Sequence, residues 1–257
     1  MKPIELRNIR FSYGGTFNVL DGVDMTFEEG TVNTLIGLNG CGKSTLIKVM
    51  TGLLVPSEGS VIYGGTNLLE LSFRERSKRF SYVQQNSVLS NYTVEEYMLF
   101  GTANRLELFA MPGEDEKAIV KEQIERFGIS ALAKKRLREL SGGERQIVAI
   151  CSAMSQNTPV VILDEPCSAL DILNTDKVLS TLKMISEEDG KTIVMSTHNP
   201  NHALFMDSNV FLMKDGKIVD SGKAKETVIP ERLRVIYGEK VCYSHDLPYD
   251  EISFGLR

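Results

Sequence analysis

The sequence predicts an α/β fold: a mostly parallel sheet, an antiparallel β subdomain at the N-terminus, and an α-helical subdomain inserted mid-chain. Three observations carry that prediction. Residues 1–35 alternate apolar with polar positions between glycine turns. Four later apolar runs, Thr34–Leu35–Ile36, Phe80–Ser81–Tyr82–Val83, Val160–Val161–Ile162–Leu163 and Thr192–Ile193–Val194–Met195, each stop directly before a polar or glycine-rich cluster. Buried strands of an open α/β sheet have this form, and ligands bind beyond their carboxyl ends. Between about residues 87 and 158 the pattern becomes helical.

Taken in order, Ile4–Glu5–Leu6, Phe11–Ser12–Tyr13 and Val23–Asp24–Met25–Thr26–Phe27 are the N-terminal strands, separated by Gly14–Gly15 and Asp21–Gly22. Thr93–Val94–Glu95–Glu96 has the form of a capping box, with Thr93 accepting from a backbone N–H and Glu96 reaching back. Ile119, Val120, Ile124 and Phe127 predict a second helix near 115–127, stopped by Gly128. After His198 come a short helix (Pro200–Met206), a hairpin turning at Lys214–Asp215–Gly216–Lys217, and a polar tail beyond Val241 with no function assigned. The chain is one domain over 1–257, comprising a core (1–86 plus 159–240), a helical subdomain (87–158) and a tail (241–257).

Composition narrows the function. At 257 residues, 42% apolar and 25% charged, the chain has the make-up of a soluble globular protein. A net charge of −5 gives no support to nucleic acid as the main partner or to polybasic membrane binding. No apolar run approaches the roughly 18–20 residues that cross a bilayer, and the N-terminus lacks the apolar core of a secretion signal. The expectation is a cytoplasmic chain that could dock on a membrane protein. Four cysteines without Cys-x-x-Cys spacing and three histidines argue against a zinc site and for reduced thiols. Cys41 and Cys167 fall inside the motifs below, so redox proximity stands beside the plainer reading of two small buried side chains.

Gly37–Leu38–Asn39–Gly40–Cys41–Gly42–Lys43–Ser44–Thr45 follows a predicted strand and opens a helix. Glycines at that spacing let backbone N–H groups surround a polyphosphate, and the helix terminus adds partial positive charge. Lys43 then reaches the β/γ phosphates and the Ser44 hydroxyl ligates Mg²⁺. Val160–Pro166 is an apolar strand ending in two carboxylates. Asp164 suits direct or second-sphere Mg²⁺ binding, and Glu165 could polarise an attacking water. Ser141–Gly142–Gly143–Glu144 is itself a capping box, and the following Ile147, Val148, Ile150 and Cys151 continue a helix. Capping explains Ser141 and Glu144. It does not explain two consecutive glycines, which cost helix stability and bare backbone N–H groups, the ingredients of an anion site.

Together, Gly37–Thr45, Leu140–Glu144, Val160–Pro166 and Ser168–Ala169–Leu170–Asp171 resemble the nucleotide-binding subunit of an ATP-binding cassette (ABC) transporter, a match running from residue 3 to about 240. The resemblance implies a P-loop NTPase (RecA-like) core, ATP with Mg²⁺, and ATP hydrolysis. It makes Leu140–Glu144 the signature motif, with Ser141, Gly142 and Gly143 contacting the γ-phosphate held by the opposite subunit of a head-to-tail dimer. Tyr13 matches the aromatic that stacks on adenine. Gln85 matches the glutamine that reaches Mg²⁺ and water, with Gln84 the competing choice. His198 matches the switch histidine on the γ-phosphate, and Asp171 ends the loop that communicates between sites. Cys167 replaces a usual threonine and Asn199–Pro200–Asn201 a usual Asp–Leu–Asn, but no catalytic group is lost.

One cassette without a transmembrane helix resembles bacterial or archaeal importer subunits. These imply separate transmembrane permease subunits, a second and identical cassette, and a peripheral position on the inner face of the membrane. Ala169–Leu170–Asp171–Ile172 and the ending Leu233–Arg234–Val235–Ile236–Tyr237–Gly238 resemble the iron–siderophore, haem and cobalamin uptake group. The alternatives are another importer or exporter, or a soluble ABC ATPase not tied to transport. Lys134–Lys135–Arg136–Leu137–Arg138 is read as a partner contact or as a solvated charged face.

Overall fold

The N-terminal alternation forms strands β1 (Ile4–Phe11) and β2 (Leu20–Phe27), whose inward positions are buried. β1 stops at Phe11, so Tyr13, expected to continue it, lies in the following turn. Next come β3 (Val32–Ile36), α1 (Lys43–Met50), β4 (Glu58–Tyr63), β5 (Thr66–Asn67), α2 (Phe73–Ser77) and β6 (Phe80–Val83). The helical stretch holds α3 (Val94–Gly101), α4 (Glu114–Arg126) and α5 (Gly142–Ser155). Then follow β7 (Val160–Leu163), α6 (Ile172–Asp189), β8 (Thr192–Thr197), α7 (Asn201–Phe205), β9 (Asn209–Lys214), β10 (Lys217–Lys223), α8 (Ala224–Thr227), α9 (Pro230–Tyr237), β11 (Val241–Ser244) and β12 (Glu251–Phe254). The computed structural model describes residues 2–15, 17–85, 89–106, 110–168, 170–239, 241–244 and 251–254. Ala169 and positions 87 and 88, which figure in the expectations above, lie outside them, as does much of the 241–257 tail.

The four apolar runs are neighbours in one six-stranded sheet of order β10-β9-β3-β8-β7-β6. The pairings β9–β3–β8–β7–β6 are all parallel, with β10 antiparallel at the edge. Every residue of β7 and β8 is buried, which explains why these strands read as continuous apolar runs. Parallel pairing also places the carboxyl ends of β3, β6, β7 and β8 on one edge, where the polar clusters begin. The second sheet, β2-β1-β4-β5, is antiparallel.

Three apolar clusters hold the layers. One packs Leu46, Ile47 and Met50 of α1 between the antiparallel sheet (Ile4, Leu6, Val23, Phe27) and the inner faces of β7–β9. A second joins α3, α4 and α5 to the opposite sheet face and to α6, whose Val178, Leu179, Leu182 and Ile185 form one stripe. The third seats α9 on β9 through Leu233, Ile236, Leu212 and Ile36. The Thr93–Glu96 capping box closes reciprocally at 2.7 and 3.3 Å, as its spacing predicts. In the basic run, Lys134, Lys135 and Arg136 are exposed, Lys134 pairs with Glu95, and Leu137 turns into the core.

Candidate active site

The loop between β3 and α1 is shaped by its glycines. Gly42 adopts φ +110°, and a Cβ there would lie 2.9 Å from both the Val19 carbonyl oxygen and the Met213 side chain. Any other residue would be strained and crowded. Leu38, Asn39 and Gly40 are exposed at the loop crest, whereas Lys43 is only 4% exposed. Its Nζ donates to the carbonyls of Gly37 (2.9 Å) and Leu38 (3.1 Å) and pairs with Glu165 Oε1 at 3.1 Å. Both partners of that ion pair are buried, and hydrogen bonds to the lysine help offset their desolvation.

β7 delivers the two carboxylates. The Ser44 hydroxyl donates to Asp164 Oδ1 at 3.0 Å, and Ser196 from β8 donates to the same oxygen at 2.7 Å. The Glu165 backbone N–H donates to Ser196 Oγ at 2.8 Å. Ser196 thus fixes both acidic residues, and the sequence reading missed it. Its only signal is a small polar residue following an apolar strand run. Tyr82 was missed likewise: it hydrogen-bonds Asp164, and burial together with that carboxylate pushes its hydroxyl pKa up to about 12. Glu165 itself sits at φ +46°, a region costly for a non-glycine residue, so its surroundings hold it against local preference.

His198 Nδ1 stands 3.3 Å from Glu165 Oε2, and Gln85 Nε2 lies 3.5 Å from the same oxygen and 3.4 Å from Ser168 Oγ. Gln85, Lys43, Ser44, Thr45 and Glu165 line one cavity of about 230 Å³. The Tyr13 hydroxyl is 3.3 Å from Thr45 Oγ1, with its ring 64% exposed and edge-on to Phe11. Nine of the expected positions, Gly37–Thr45, therefore converge with Asp164, Glu165, Gln85, His198 and Tyr13.

Ser141, Gly142 and Gly143 do not join them, and they line neither this cavity nor the larger one beside His198. Ser141 caps α5: its Oγ accepts from the Glu144 N–H at 3.2 Å, and its own N–H donates to Glu144 at 2.7 Å. A Cβ on Gly143 would meet Asn174 at 2.4 Å, whereas Gly142 is exposed and would meet nothing nearer than 4.0 Å. Asp171 caps α6 by accepting from the Asn174 N–H at 2.8 Å.

The redox alternative for the two motif cysteines is not supported. Cys41 packs with the α1 cluster and Cys167 with the helical cluster across the sheet, and both are free thiols. Burial raises both thiol pKa values, that of Cys167 to about 12, so neither is an activated nucleophile.

Oxygen donors dominate around Ser44 and Asp164, which suits a hard cation. Among the described residues no group of three or more His, Cys, Asp or Glu could hold a metal unaided. A cation here would draw its remaining ligands from phosphate and water.

A family profile described as ABC transporter matches residues 20–168, more than half of the chain. The chain belongs to the ABC transporter family. It is 28% identical to the iron(3+)-hydroxamate import ATP-binding protein FhuC of Bacillus subtilis over 98% of both chains. It is 31% identical to the ferric enterobactin transport ATP-binding protein FepC of Escherichia coli, covering 91% of this chain and 89% of that one. The ATP-binding cassette MJ0796, solved as a dimer in a post-hydrolysis state with ADP and Pi, superposes with a TM-score of 0.75 at 28% identity, covering 86% of this chain and 98% of that one. This ABC protein is an ATP-binding, ATP-hydrolysing transporter subunit. Among its described residues no helix is long and apolar enough to cross a membrane.

Proposed function

We propose that this ABC ATPase powers import of an iron chelate, haem or cobalamin-like cargo through separate permease subunits, as a head-to-tail homodimer on the inner membrane face. The observation that supports the catalytic reading best is the convergence of Lys43, Ser44, Asp164, Glu165 and His198 from three segments onto one sheet edge. The cargo reading rests on the printed functions of the FhuC and FepC relatives.

In this reading the backbone N–H groups of the loop hold the ATP phosphates and Tyr13 stacks on adenine. Lys43 leaves the Gly37 and Leu38 carbonyls for the β/γ phosphates, which releases Glu165 from its ion pair. Glu165 then accepts a proton from the attacking water, His198 contacts the γ-phosphate, and Gln85 orients the water. Ser44 and Asp164 would hold Mg²⁺, with Gln85 reaching toward it; the ion supplies charge neutralisation at the phosphate oxygens. The α5 terminus, with exposed Ser141 and Gly142 and the buried Gly143 behind them, completes the site of the opposite protomer.

The test is purification of the tagged chain from solubilised native membranes. Co-purification of a multi-spanning permease, together with chelate uptake that depends on this chain, supports the proposal. Ribosomes or DNA recovered without a membrane subunit would overturn it.

A further inference from the structure

The motif Leu233–Gly238 resembles the ending of an importer group, yet nothing in the hydrolysis scheme uses it. Its place in the fold supplies a use. α9 is seated on β9 by Leu233 and Ile236, in the cluster that also contains Ile36, the last residue before the phosphate loop. At the last residue of that helix, the half-buried Tyr237 donates its hydroxyl hydrogen to the backbone carbonyl of His198 at 2.7 Å.

The position of His198 needs such support. Its side chain is 48% exposed and stands 3.3 Å from Glu165, so packing does not fix it. The turn that carries it is tied locally: the Asn199 N–H donates to Thr197 Oγ1 at 3.0 Å, and His202 Nδ1 lies 2.9 Å from the same hydroxyl. Those ties come from within five residues, whereas Tyr237 is 39 residues away on another layer. Burial, with the Glu165 carboxylate nearby, pushes the Tyr237 hydroxyl pKa up and keeps it a donor.

We propose that Tyr237 is a positioning residue for hydrolysis: by holding the His198 carbonyl, the C-terminal helix sets the reach of the histidine toward the γ-phosphate. The proposal rests on the reading of His198 given above. A displacement of about 1 Å at a reacting group can cost on the order of a hundredfold in rate, and one hydrogen bond at the histidine's own backbone has that leverage.

The experiment is a double-mutant cycle on the purified chain with Tyr237→Phe, which removes the hydroxyl and keeps the ring, and His198→Ala. Steady-state kcat, the ATP dissociation constant and the melting temperature are read for each. Expected is a roughly ten- to hundredfold lower kcat for Tyr237→Phe, with ATP affinity unchanged and no further loss when it is added to His198→Ala. A lowered melting temperature with wild-type kcat would reduce the bond to a structural tie and overturn the proposal. Multiplying losses in the double mutant would overturn it too. Wild-type turnover in His198→Ala would remove the role of His198 itself and this proposal with it; a slow His198→Ala beside an unimpaired Tyr237→Phe removes this proposal alone.

Discussion

The chain carries two glycine-rich helix N-termini, and they are built in opposite ways. At α1 the glycines answer to the protein's own backbone: Gly42 is forced by its φ of +110° and by Val19 and Met213 pressing on it. The first two residues of that helix, Lys43 and Ser44, are met by Glu165 and Asp164 from the same chain. At α5 the end is closed by a side-chain capping box, and Gly142 faces open space with no neighbour that demands a glycine. A costly residue with no internal reason for it points to something outside the chain. In the function proposed above, the first terminus holds the chain's own nucleotide and the second completes the partner's.

That contrast can be broken at several points. Glu165→Gln should lower turnover by about 10²–10⁴-fold, the range a general base contributes, while ATP still binds and dimers accumulate on size exclusion. Retention of most steady-state activity would remove Glu165 from its role. Gly142→Asp should fold with an unchanged melting temperature, because the position is open, yet lose turnover by about a hundredfold when a carboxylate faces the partner's phosphate. Mixing it with Lys43→Ala should restore activity, since a head-to-tail dimer then contains one intact site; two inactive variants that stay inactive together would mean that the termini do not meet across subunits.

Smaller effects sharpen the same comparison. Ser196→Ala strips Asp164 of a donor and the Glu165 N–H of its acceptor, and should cost about 1–3 kcal/mol by denaturant unfolding along with turnover. Ser141→Ala should cost about 1 kcal/mol as a lost cap, with ATP binding to the chain's own phosphate loop unchanged and turnover lowered through the partner's site. The smallest effect is a pH dependence. Burial, and His198 beside it, lower the His202 pKa from 6.5 to about 4 in the folded protein. The unfolded chain therefore binds the proton first, and stability present above about pH 6.5 is lost as pH falls toward 4. His202→Gln should flatten the urea midpoint over that window, and an unchanged slope would contradict the assignment.

The sequence made the four central strands legible because full burial on both faces leaves continuous apolar runs. It made the capping boxes at Thr93 and Ser141 legible because capping is local, settled within four residues. Cys41 and Cys167 show the opposite case. Both sit in recognisable motifs, but which face of the sheet each side chain occupies depends on strand order. Alternation extends the first strands to Tyr13, although β1 ends at Phe11 and the largely exposed Tyr13 ring stands edge-on to Phe11 with its hydroxyl beside Thr45.

What the sequence determined alone was the chemistry available: a phosphate loop, a carboxylate strand end, a capped and glycine-rich helix start, and the family they mark. Each is written in neighbouring residues, where hydrogen-bonding reach and backbone freedom are local properties. Only the tertiary structure decided the partnerships. Parallel pairing of β7 with β8 brings Ser196 between Asp164 and Glu165, and the seating of α9 on β9 brings Tyr237 to the His198 carbonyl. Those contacts span 31 to 39 residues and depend on sheet order, so no local pattern could announce them.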